Sequence, residues 1–457
     1  MLARIPHIRE LSPLILVYYW LMKRYAIEVL KKWKNKAKRK PMIIRGARQV
    51  GKTWLMKEFG KNEYKNTAYI NFEANDAMQE LFSIDMDIKR IIEGLELETN
   101  EKISPKDTLI IFDEVQECPS ALTSLKYFNE NAPEYNIVAA GSMLGVALHN
   151  GKSFPVGKIE FMDLYPLSFE EFLEANEVEK FVELLQDIKS ENIKVFKSKY
   201  INYLKQYYYT GGMPEAVLTF VETRDYKEVR KVQNAILDAY KEDFSKHIPT
   251  VTKLKIDLLW DSIPAQLTQE SKKFVYKKVK QGGRAKEFEE ALAWLIDCGL
   301  IYKINRATKP ALPLRAYEDN SAFKLFILDV GLLSALSSLP ARTVIEGDKI
   351  FTEFHGALAE QYVLQQLKII EDMTIAYWIS KSNVAEIDFL IQLDGYVIPV
   401  EVKATTNLQA KSLKIFRKDF QPEKSIRTSL ADYKKDDDLY NIPLFAIGKA
   451  ENILNEN

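Results

Sequence analysis

The sequence predicts an α/β protein whose N-terminal part is built on a parallel β-sheet. Short runs of apolar and β-branched residues alternate with segments of helical periodicity up to about residue 165. That alternation is typical of a parallel sheet covered by helices on both faces. A glycine-rich loop joins the first of these runs to a helix, and a later run ends in two adjacent acids. At 457 residues the chain is too long for a single core, so we expect several domains.

The apolar runs predict five strands in this first part of the chain, preceded by a basic amphipathic helix over residues 22–36. These strands are Met42–Ile44, Ala68–Asn71, Leu109–Phe112, Ile137–Ala140 and Ile159–Leu164. From about residue 166 to 250 only helical patterns occur, and a capping-type serine, Ser168, opens the first of them. The later predicted elements are strands at Leu300–Asn305 and Leu314–Tyr317, a helix at Gly356–Leu367, and strands at Ile375–Ile379, Ala385–Gln392, Val397–Val402 and Leu444–Ile447.

Composition excludes several classes of protein. Lys+Arg and Asp+Glu are both 64, so overall charge does not direct the chain to nucleic acid, and any basic surface must be local. Cys118 and Cys298 lack the spacing of a metal site, and two distant cysteines do not form a disulfide framework. The apolar run Leu11–Met22 is too short to span a bilayer and no small-residue cleavage site follows it. We interpret it as a packed N-terminal segment rather than a signal peptide, and we expect a cytoplasmic protein without a membrane segment.

The glycine-rich loop has the pattern of a phosphate-binding loop, GxxxxGK[ST], without a mismatch. It follows an apolar strand and opens a helix, the context in which backbone N–H groups converge on a phosphate. The lysine side chain is expected to reach the β- and γ-phosphates, and the threonine hydroxyl to bind Mg²⁺. We therefore predict binding of a nucleoside triphosphate, with ATP expected, by Gly46, Ala47, Arg48, Gln49, Val50, Gly51, Lys52 and Thr53.

The two adjacent acids are Asp113 and Glu114, which follow the buried run Leu109–Phe112. In this position Asp113 is expected to hold Mg²⁺, and Glu114 to polarise the attacking water. The next strand ends in Gly141-Ser142. Ser142 is interpreted as a polar residue that hydrogen-bonds the γ-phosphate or the lytic water, with an ordinary helix cap as the alternative.

These three elements in this order resemble the AAA+ ATPases. Phe161–Leu173, the Gly211-Gly212-Met213-Pro214 turn and Lys324–Leu336 resemble one bacterial and archaeal group of them, whose C-terminal domain is known only as a domain of unknown function. The resemblance implies that Pro214 touches the adenine. It also implies an N-terminal extension (1–22), an AAA+-like P-loop core (23–165), a helical lid (166–250), a winged-helix-like unit (251–340) and a nuclease-like α/β domain (341–457).

The chain departs from the AAA+ pattern at the arginine that a neighbouring subunit usually supplies. No arginine occurs between Arg90 and Arg224, and Gly157-Lys158 stands where relatives often have Gly-Arg. Lysine carries the charge but lacks the planar fork that clamps phosphate oxygens. An oligomer is possible, but no arginine that would act in trans is evident.

The C-terminal part contains carboxylates on a predicted hairpin. Asp388 precedes the turn at Asp394-Gly395, and Glu401 and Lys403 follow it, two residues apart and therefore on one side of the strand. With Glu360 from the preceding helix, these residues resemble the PD-(D/E)xK nuclease superfamily. That resemblance implies metal binding by Glu360, Asp388 and Glu401, with Lys403 as a catalytic residue. An inactive nuclease-like fold that binds DNA or protein, and an ordinary hairpin with a surface Glu–Lys pair, are the alternatives.

Residues 272–286 are rich in lysine and arginine and contain no acid. In a winged helix such a segment approaches DNA, so we predict that it neutralises phosphates. The alternative is a solvated helix face, because acids follow directly at Glu287, Glu289 and Glu290.

The sequence therefore predicts an ATPase that depends on Mg²⁺ and is coupled to a nuclease-like domain acting on nucleic acid. The alternative function is a signalling or scaffolding switch, in which the ATP state controls a partner held by the C-terminal domain without cleavage.

Overall fold

The computed structural model describes residues 22–141, 157–248, 250–268, 272–346 and 352–455. Ser142 and residues 11–21 of the apolar N-terminal run lie outside these ranges. The chain divides into two compact units, which are described separately. The first contains Arg24–Tyr165 and Ala293–Leu300, and the second contains Pro166–Leu292 and Ile301–Asn457.

The first unit contains a five-stranded sheet in which every pair of neighbouring strands is parallel, in the order β2-β3-β4-β1-β5. This arrangement confirms the predicted P-loop NTPase type of core. The strands are β1 (Met42–Arg45), β2 (Asn66–Asn71), β3 (Thr108–Asp113), β4 (Asn136–Ala140) and β5 (Glu160–Asp163). The helices are α1 (Ala26–Lys34), α2 (Lys52–Glu63), α3 (Asp76–Ile84), α4 (Ile88–Thr99) and α5 (Pro119–Asn131).

The two faces of this sheet are covered by different helices. Every residue of β3 is buried, which explains why its sequence is continuously apolar rather than alternating. On one face Phe112 of β3 joins the core formed with α3, α4 and α5, where it lies edge-to-face with Phe72 and Phe82 at ring distances of 5.4 and 5.6 Å. On the other face, α2 brings Gly60 against Leu109. Residues one position apart on β3 therefore point to opposite layers.

The second unit combines helices with an eight-stranded mixed sheet of order β12-β13-β11-β10-β9-β8-β6-β7. Its strands are β6 (Ile301–Ala307), β7 (Glu318–Ile327), β8 (Thr374–Ile379), β9 (Glu386–Leu393), β10 (Tyr396–Val402), β11 (Ser425–Ser429), β12 (Lys434–Asp436) and β13 (Leu439–Pro443). Strands from both sides of residue 340 share this sheet, and the proposed domain divisions within 166–457 stay predictions.

Helices precede, interrupt and follow these strands. In chain order they are α6 (Phe169–Ala175), α7 (Glu179–Leu184), α8 (Glu191–Thr210), α9 (Pro214–Thr223), α10 (Tyr226–His247), α11 (Thr250–Leu267), α12 (Tyr276–Val279), α13 (Ala285–Asp297), α14 (Val330–Leu336), α15 (Ala341–Glu346), α16 (Thr352–Leu367), α17 (Lys411–Phe420) and α18 (Ala450–Asn455). No helix in the described ranges combines the length and hydrophobicity that a membrane span requires.

Two local predictions in this unit are confirmed. Ser168 caps α6 in a reciprocal capping box: its hydroxyl accepts the Glu171 N–H at 3.1 Å, and the Glu171 carboxylate accepts the Ser168 N–H at 2.8 Å. The hairpin β9–β10 turns at Asp394-Gly395, where both residues have positive φ, as a two-residue hairpin turn requires.

The glycine turn after α8 is packed against a buried carboxylate. Asp329 accepts hydrogen bonds from the Gly212 N–H at 2.7 Å and from the Gln365 amide at 3.0 Å, and it caps α14. A Cβ on Gly211 would lie 2.0 Å from Asp329 Oδ1, and one on Gly212 would lie 2.2 Å from the Leu167 carbonyl. These contacts account for the two glycines by packing.

Two strand predictions are wrong. Leu314–Tyr317 is a 3₁₀ turn, and the strand begins after it at Glu318. Leu444–Ile447 belongs to the 3₁₀ segment Leu444–Lys449. Both runs are short and apolar, and periodicity cannot distinguish a short buried helical turn from a strand.

Candidate functional site

The P-loop connects β1 to α2 and depends on backbone conformations that favour glycine. Gly46 and Gly51 have φ of 150° and 94°. A Cβ on Gly46 would lie 2.4 Å from the Leu164 carbonyl oxygen, so a larger residue there would displace the loop from β5. Val50 is fully buried and anchors the loop from its inner side, while the Arg48 and Gln49 side chains are accessible to solvent.

Lys52 lies inside the curve of the loop. Its ammonium donates to the carbonyls of Gly46 at 2.9 Å and Ala47 at 2.8 Å, and only 7% of the residue is exposed. Burial lowers the pKa of Lys52 to about 8, although the charges of Glu114 and Asp113 oppose that shift. A partly desolvated cation aimed at the loop is suited to binding phosphate oxygens.

Asp113 is placed beside the P-loop by the end of β3. Its Oδ2 atom accepts hydrogen bonds from the Thr53 hydroxyl at 2.7 Å and from the Tyr69 hydroxyl at 2.9 Å. The hydroxyl and the carboxylate together offer hard oxygen ligands of the kind that Mg²⁺ prefers. These two side chains therefore fit the predicted Mg²⁺ site, and Tyr69 is a contributor that the sequence reasoning missed.

Glu114 occupies the left-handed conformation, with φ of 49°. Its Oε2 atom accepts a hydrogen bond of 2.6 Å from the Gln116 side-chain amide. Left-handed backbone is uncommon for a residue with a side chain and is often found at functional sites. Gln116 fixes the direction of the Glu114 carboxylate, and the sequence carried no signal for that role.

Arg24 supports the P-loop and was also missed. Its guanidinium donates to the Val50 carbonyl at 2.9 Å and to the Tyr165 carbonyl at 2.6 Å, and the residue is buried. Arginine is suited to this bridging because its planar fork presents several donors in fixed directions. In the sequence Arg24 is one of many cations in the predicted basic helix 22–36, and nothing distinguished it from the others.

The other predicted residues of this half remain predictions. Ser142 lies outside the described residues. Lys158, the residue that stands in the place of the usual arginine, forms an ion pair of 2.9 Å with Glu130. Pro214 is buried as the first residue of α9, and its predicted contact with adenine is untested.

The C-terminal unit brings the predicted carboxylates together. Asp388 accepts the Val402 N–H at 2.8 Å, and Lys403 forms an ion pair of 2.7 Å with Glu401. Glu360 projects from α16 into the same group and shares a hydrogen bond with Asp388. The side chains therefore converge on one side of the sheet. Glu360 and Glu401 each have one buried carboxylate oxygen without a hydrogen-bond partner among the described residues.

Two further lysines contact the carboxylate group formed by Glu360, Asp388 and Glu401. Neither lysine was predicted from the sequence to lie there. Lys272 forms a buried ion pair with Glu360. Lys324 of β7 is fully buried and lies 2.5 Å from Glu386 and 4.0 Å from Glu360. The available signal for Lys324 was a charged residue within the apolar second part of β7, Ala322–Ile327, because such a charge needs a buried partner.

Proton affinities in the carboxylate group reflect these partners. Burial, with the charges of Glu360 and Glu401, raises the pKa of Asp388 well above its usual range. Burial opposes ionisation of Glu360, but the ion pairs with Lys272 and Lys324 outweigh it and lower its pKa. The pKa values of these two neighbouring carboxyl groups are therefore shifted in opposite directions, upward for Asp388 and downward for Glu360.

The group as it stands is neutralised by lysines. Within the described ranges no three His, Cys, Asp or Glu side chains are placed to hold a metal ion.

Lys272 also belongs to the segment 272–286 that was predicted to meet DNA, but it points into the protein rather than to solvent. Exposed cations of that segment include Lys273, Lys277 and Lys278.

Comparison with known proteins identifies the type of the N-terminal domain but not the function of the rest of the chain. Residues 38–173 match a family model described as an AAA domain. Residues 201–343 and 355–447 match two models, each described as a domain of unknown function, DUF8612 and DUF4143. A search of curated proteins finds no match.

The solved structures that match this chain share little sequence with it. A Walker-type ATPase of Pyrococcus abyssi has 16% identity and a TM-score of 0.45, over 69% of this chain and 96% of that chain. The Aeropyrum pernix Orc1 protein, solved in complex with DNA, has 12% identity and a TM-score of 0.28, over 72% and 94%. Drosophila ORC bound to DNA has 12% identity and a TM-score of 0.28, over 77% and 96%.

The support of the P-loop by Arg24 is testable with Arg24→Met. This change removes two hydrogen bonds from a charged donor, and we expect nucleotide affinity to fall about 10-fold, or about 1.4 kcal/mol. The measurement is titration of the full chain with a fluorescent ATP analogue. Lys23→Met is the matched control, because Lys23 is the neighbouring cation in the sequence and forms an ion pair of 3.0 Å with Glu174. Equal affinity in wild type and Arg24→Met would contradict the role of Arg24.

Proposed function

We propose that this chain hydrolyses ATP with Mg²⁺ and couples ATP hydrolysis to a nuclease-like C-terminal site that acts on nucleic acid. Its residues 38–173 match an AAA domain, a P-loop ATPase domain that binds ATP. The hydrogen bond between Thr53 and Asp113 is the observation that carries the ATPase proposal. It joins a P-loop hydroxyl to a carboxylate at the end of β3, so two oxygen-bearing side chains that would hold one hard cation lie together.

In this proposal each P-loop residue has a distinct role. The backbone N–H groups of the loop and the Lys52 ammonium bind the phosphates and neutralise their charge. Thr53 and Asp113 would hold Mg²⁺, which supplies electrostatic stabilisation of the phosphates when bound. Glu114 accepts a proton from the attacking water, and Gln116 orients its carboxylate. Ser142 stays a candidate for contact with the γ-phosphate.

The roles of Lys52 and Glu114 are separable by mutation. Lys52→Ala removes the main cation, so ATP binding should weaken by at least about 10-fold. Glu114→Gln should retain binding but lower the hydrolysis rate by at least about 100-fold, because an amide cannot accept the proton of water. The measurements are equilibrium binding of an ATP analogue and phosphate release. Glu117→Gln is the matched control on the neighbouring turn. Hydrolysis at the wild-type rate in Glu114→Gln would refute its assignment.

For the C-terminal unit, two functions compete. Convergence of Asp388, Glu401 and Lys403 supports a nuclease that binds a divalent cation. Neutralisation of Glu360 by Lys272 and Lys324 instead favours the second candidate, an ATP-controlled switch whose C-terminal domain binds a partner without cleaving it. Buried carboxylates that already have cationic partners do not need a metal ion to be stable.

Metal binding and cleavage distinguish the two candidates. For a nuclease, the full chain without nucleotide should bind Mn²⁺, detected by electron paramagnetic resonance, and cleave DNA or RNA. Asp388→Asn should lower both, and Lys403→Ala should lower cleavage about 100-fold because it removes a charge that stabilises the transition state.

Lys272→Met provides a further measurement of the same group. Removing the cation from Glu360 should strengthen Mn²⁺ binding at least several-fold, whereas Lys277→Met, an exposed lysine of the same segment, should not. The nuclease would be excluded if neither wild type nor Lys272→Met bound Mn²⁺ and if DNA and RNA of every form tested stayed intact. The ATP-controlled switch would then remain as the candidate function.

A further inference from the structure

A cavity of about 510 Å³ lies beside α17 in the second unit, and none of the comparisons assigns it a ligand. Its volume is in the range of sites that hold small organic ligands. Apolar side chains, including Leu408, Leu413 and Leu439, form part of its lining. The charged residues of the lining are all cationic: Lys411, Lys414, Arg417 and Arg427.

The charge of this cavity is only partly compensated. Arg417 is paired with Asp438, to which it donates two hydrogen bonds. Lys411 and Lys414 are exposed, and within the described ranges neither forms an ion pair with an acid. No acid lines the cavity, so the lining itself carries an excess of positive charge. Asp436 lies outside the lining but acts on the charges of Arg417 and Arg427.

Arg427 adds a third cation that lacks an acidic partner at hydrogen-bond distance. Its Nε atom donates to the Asn441 side-chain oxygen at 3.1 Å, and its Nη1 atom donates to the Leu408 carbonyl at 2.8 Å. Both acceptors are neutral. They hold the guanidinium in a fixed direction without neutralising it, which prepares it for an anion.

The cavity adjoins the carboxylate group. Arg427 on β11 is paired in register with Glu401 on β10, and the two charges influence each other. Directly paired residues on neighbouring strands point to the same face of a sheet. An anion bound by Arg427 would therefore lie next to the group that contains Glu401 and Lys403.

We propose that this cavity binds a phosphate group of a nucleic acid strand, with the apolar lining in contact with the attached nucleoside. The proposal rests on the proposed action on nucleic acid but does not require that the strand be cleaved. The cations bind the phosphate, and the neighbouring stretch of the strand continues toward Glu401 and Lys403. The cavity then selects nucleic acid for the C-terminal site, whether that site cuts or only binds.

The test measures binding of a fluorescent single-stranded 12-nucleotide DNA or RNA to the full chain. Fluorescence anisotropy reports the binding, in EDTA and at several salt concentrations. Lys411→Ala and Lys414→Ala together should weaken binding at least about 10-fold. They should also reduce the magnitude of the slope of log K against log salt by about 0.7 for each phosphate that is no longer neutralised. Lys418→Ala is the matched control, because Lys418 is exposed on the same helix but does not line the cavity. ATP hydrolysis by the double variant and by the control should equal that of wild type.

Several results would overturn the proposal, and they identify what failed. Unchanged affinity in the Lys411→Ala/Lys414→Ala variant would exclude the cavity while leaving nucleic acid binding intact. Displacement of the strand by AMP or inorganic phosphate at similar concentrations would show that the ligand is a free phosphate compound. Absence of binding by wild type would refute both this proposal and the action on nucleic acid, but not the ATPase.

Discussion

The hydrogen bond between Thr53 and Asp113 depends on the parallel order of β3, β4 and β1, and the nucleotide site depends on it in turn. Because the strands are parallel, their carboxyl ends meet at one edge of the sheet, where the P-loop and the acidic pair both begin. An antiparallel arrangement of β1 and β3 would place these groups at opposite edges. The buried, apolar sequence of β3 is therefore a functional requirement as well as a structural one.

The second unit contains a cluster of buried charged side chains. Glu360, Glu386, Asp388 and Glu401 would repel one another if all were ionised without partners. Cations at Lys272, Lys324 and Lys403 offset this repulsion, and the pKa of Asp388 is raised by burial and by the charges of Glu360 and Glu401. Breaking such a group by removing one partner is costly, so its members are constrained together. The same balance decides how readily the group would accept a metal ion.

Much of the ATPase core was predictable because its signals are local. The P-loop, the two acids and the apolar strands each occur in a short continuous stretch, and sterics of glycine explain the loop. The reciprocal cap at Ser168 and the turn at Asp394-Gly395 were predictable for the same reason. Convergence of Asp388 with Glu401 followed from the period of a strand and the length of the hairpin.

Other features depend on contacts between distant parts of the chain. Arg24, Lys272 and Lys324 acquire their partners only through tertiary structure, and nothing next to them in the sequence indicates those partners. β11 was missed because its sequence, SIRTS, contains little apolar signal, although most of its residues are buried. The apolar run after Pro443 was misassigned because burial makes a 3₁₀ segment as apolar as a strand.

The most direct test of the nucleotide site is a crystal structure of the full chain with Mg²⁺ and a non-hydrolysable ATP analogue. In that structure we expect Lys52 to leave the carbonyls of Gly46 and Ala47 and bind the β- and γ-phosphates, with the Mg²⁺ ion held at Thr53 and Asp113. A nucleotide bound away from residues 46–53, or a metal ion that contacts neither Thr53 nor Asp113, would contradict it.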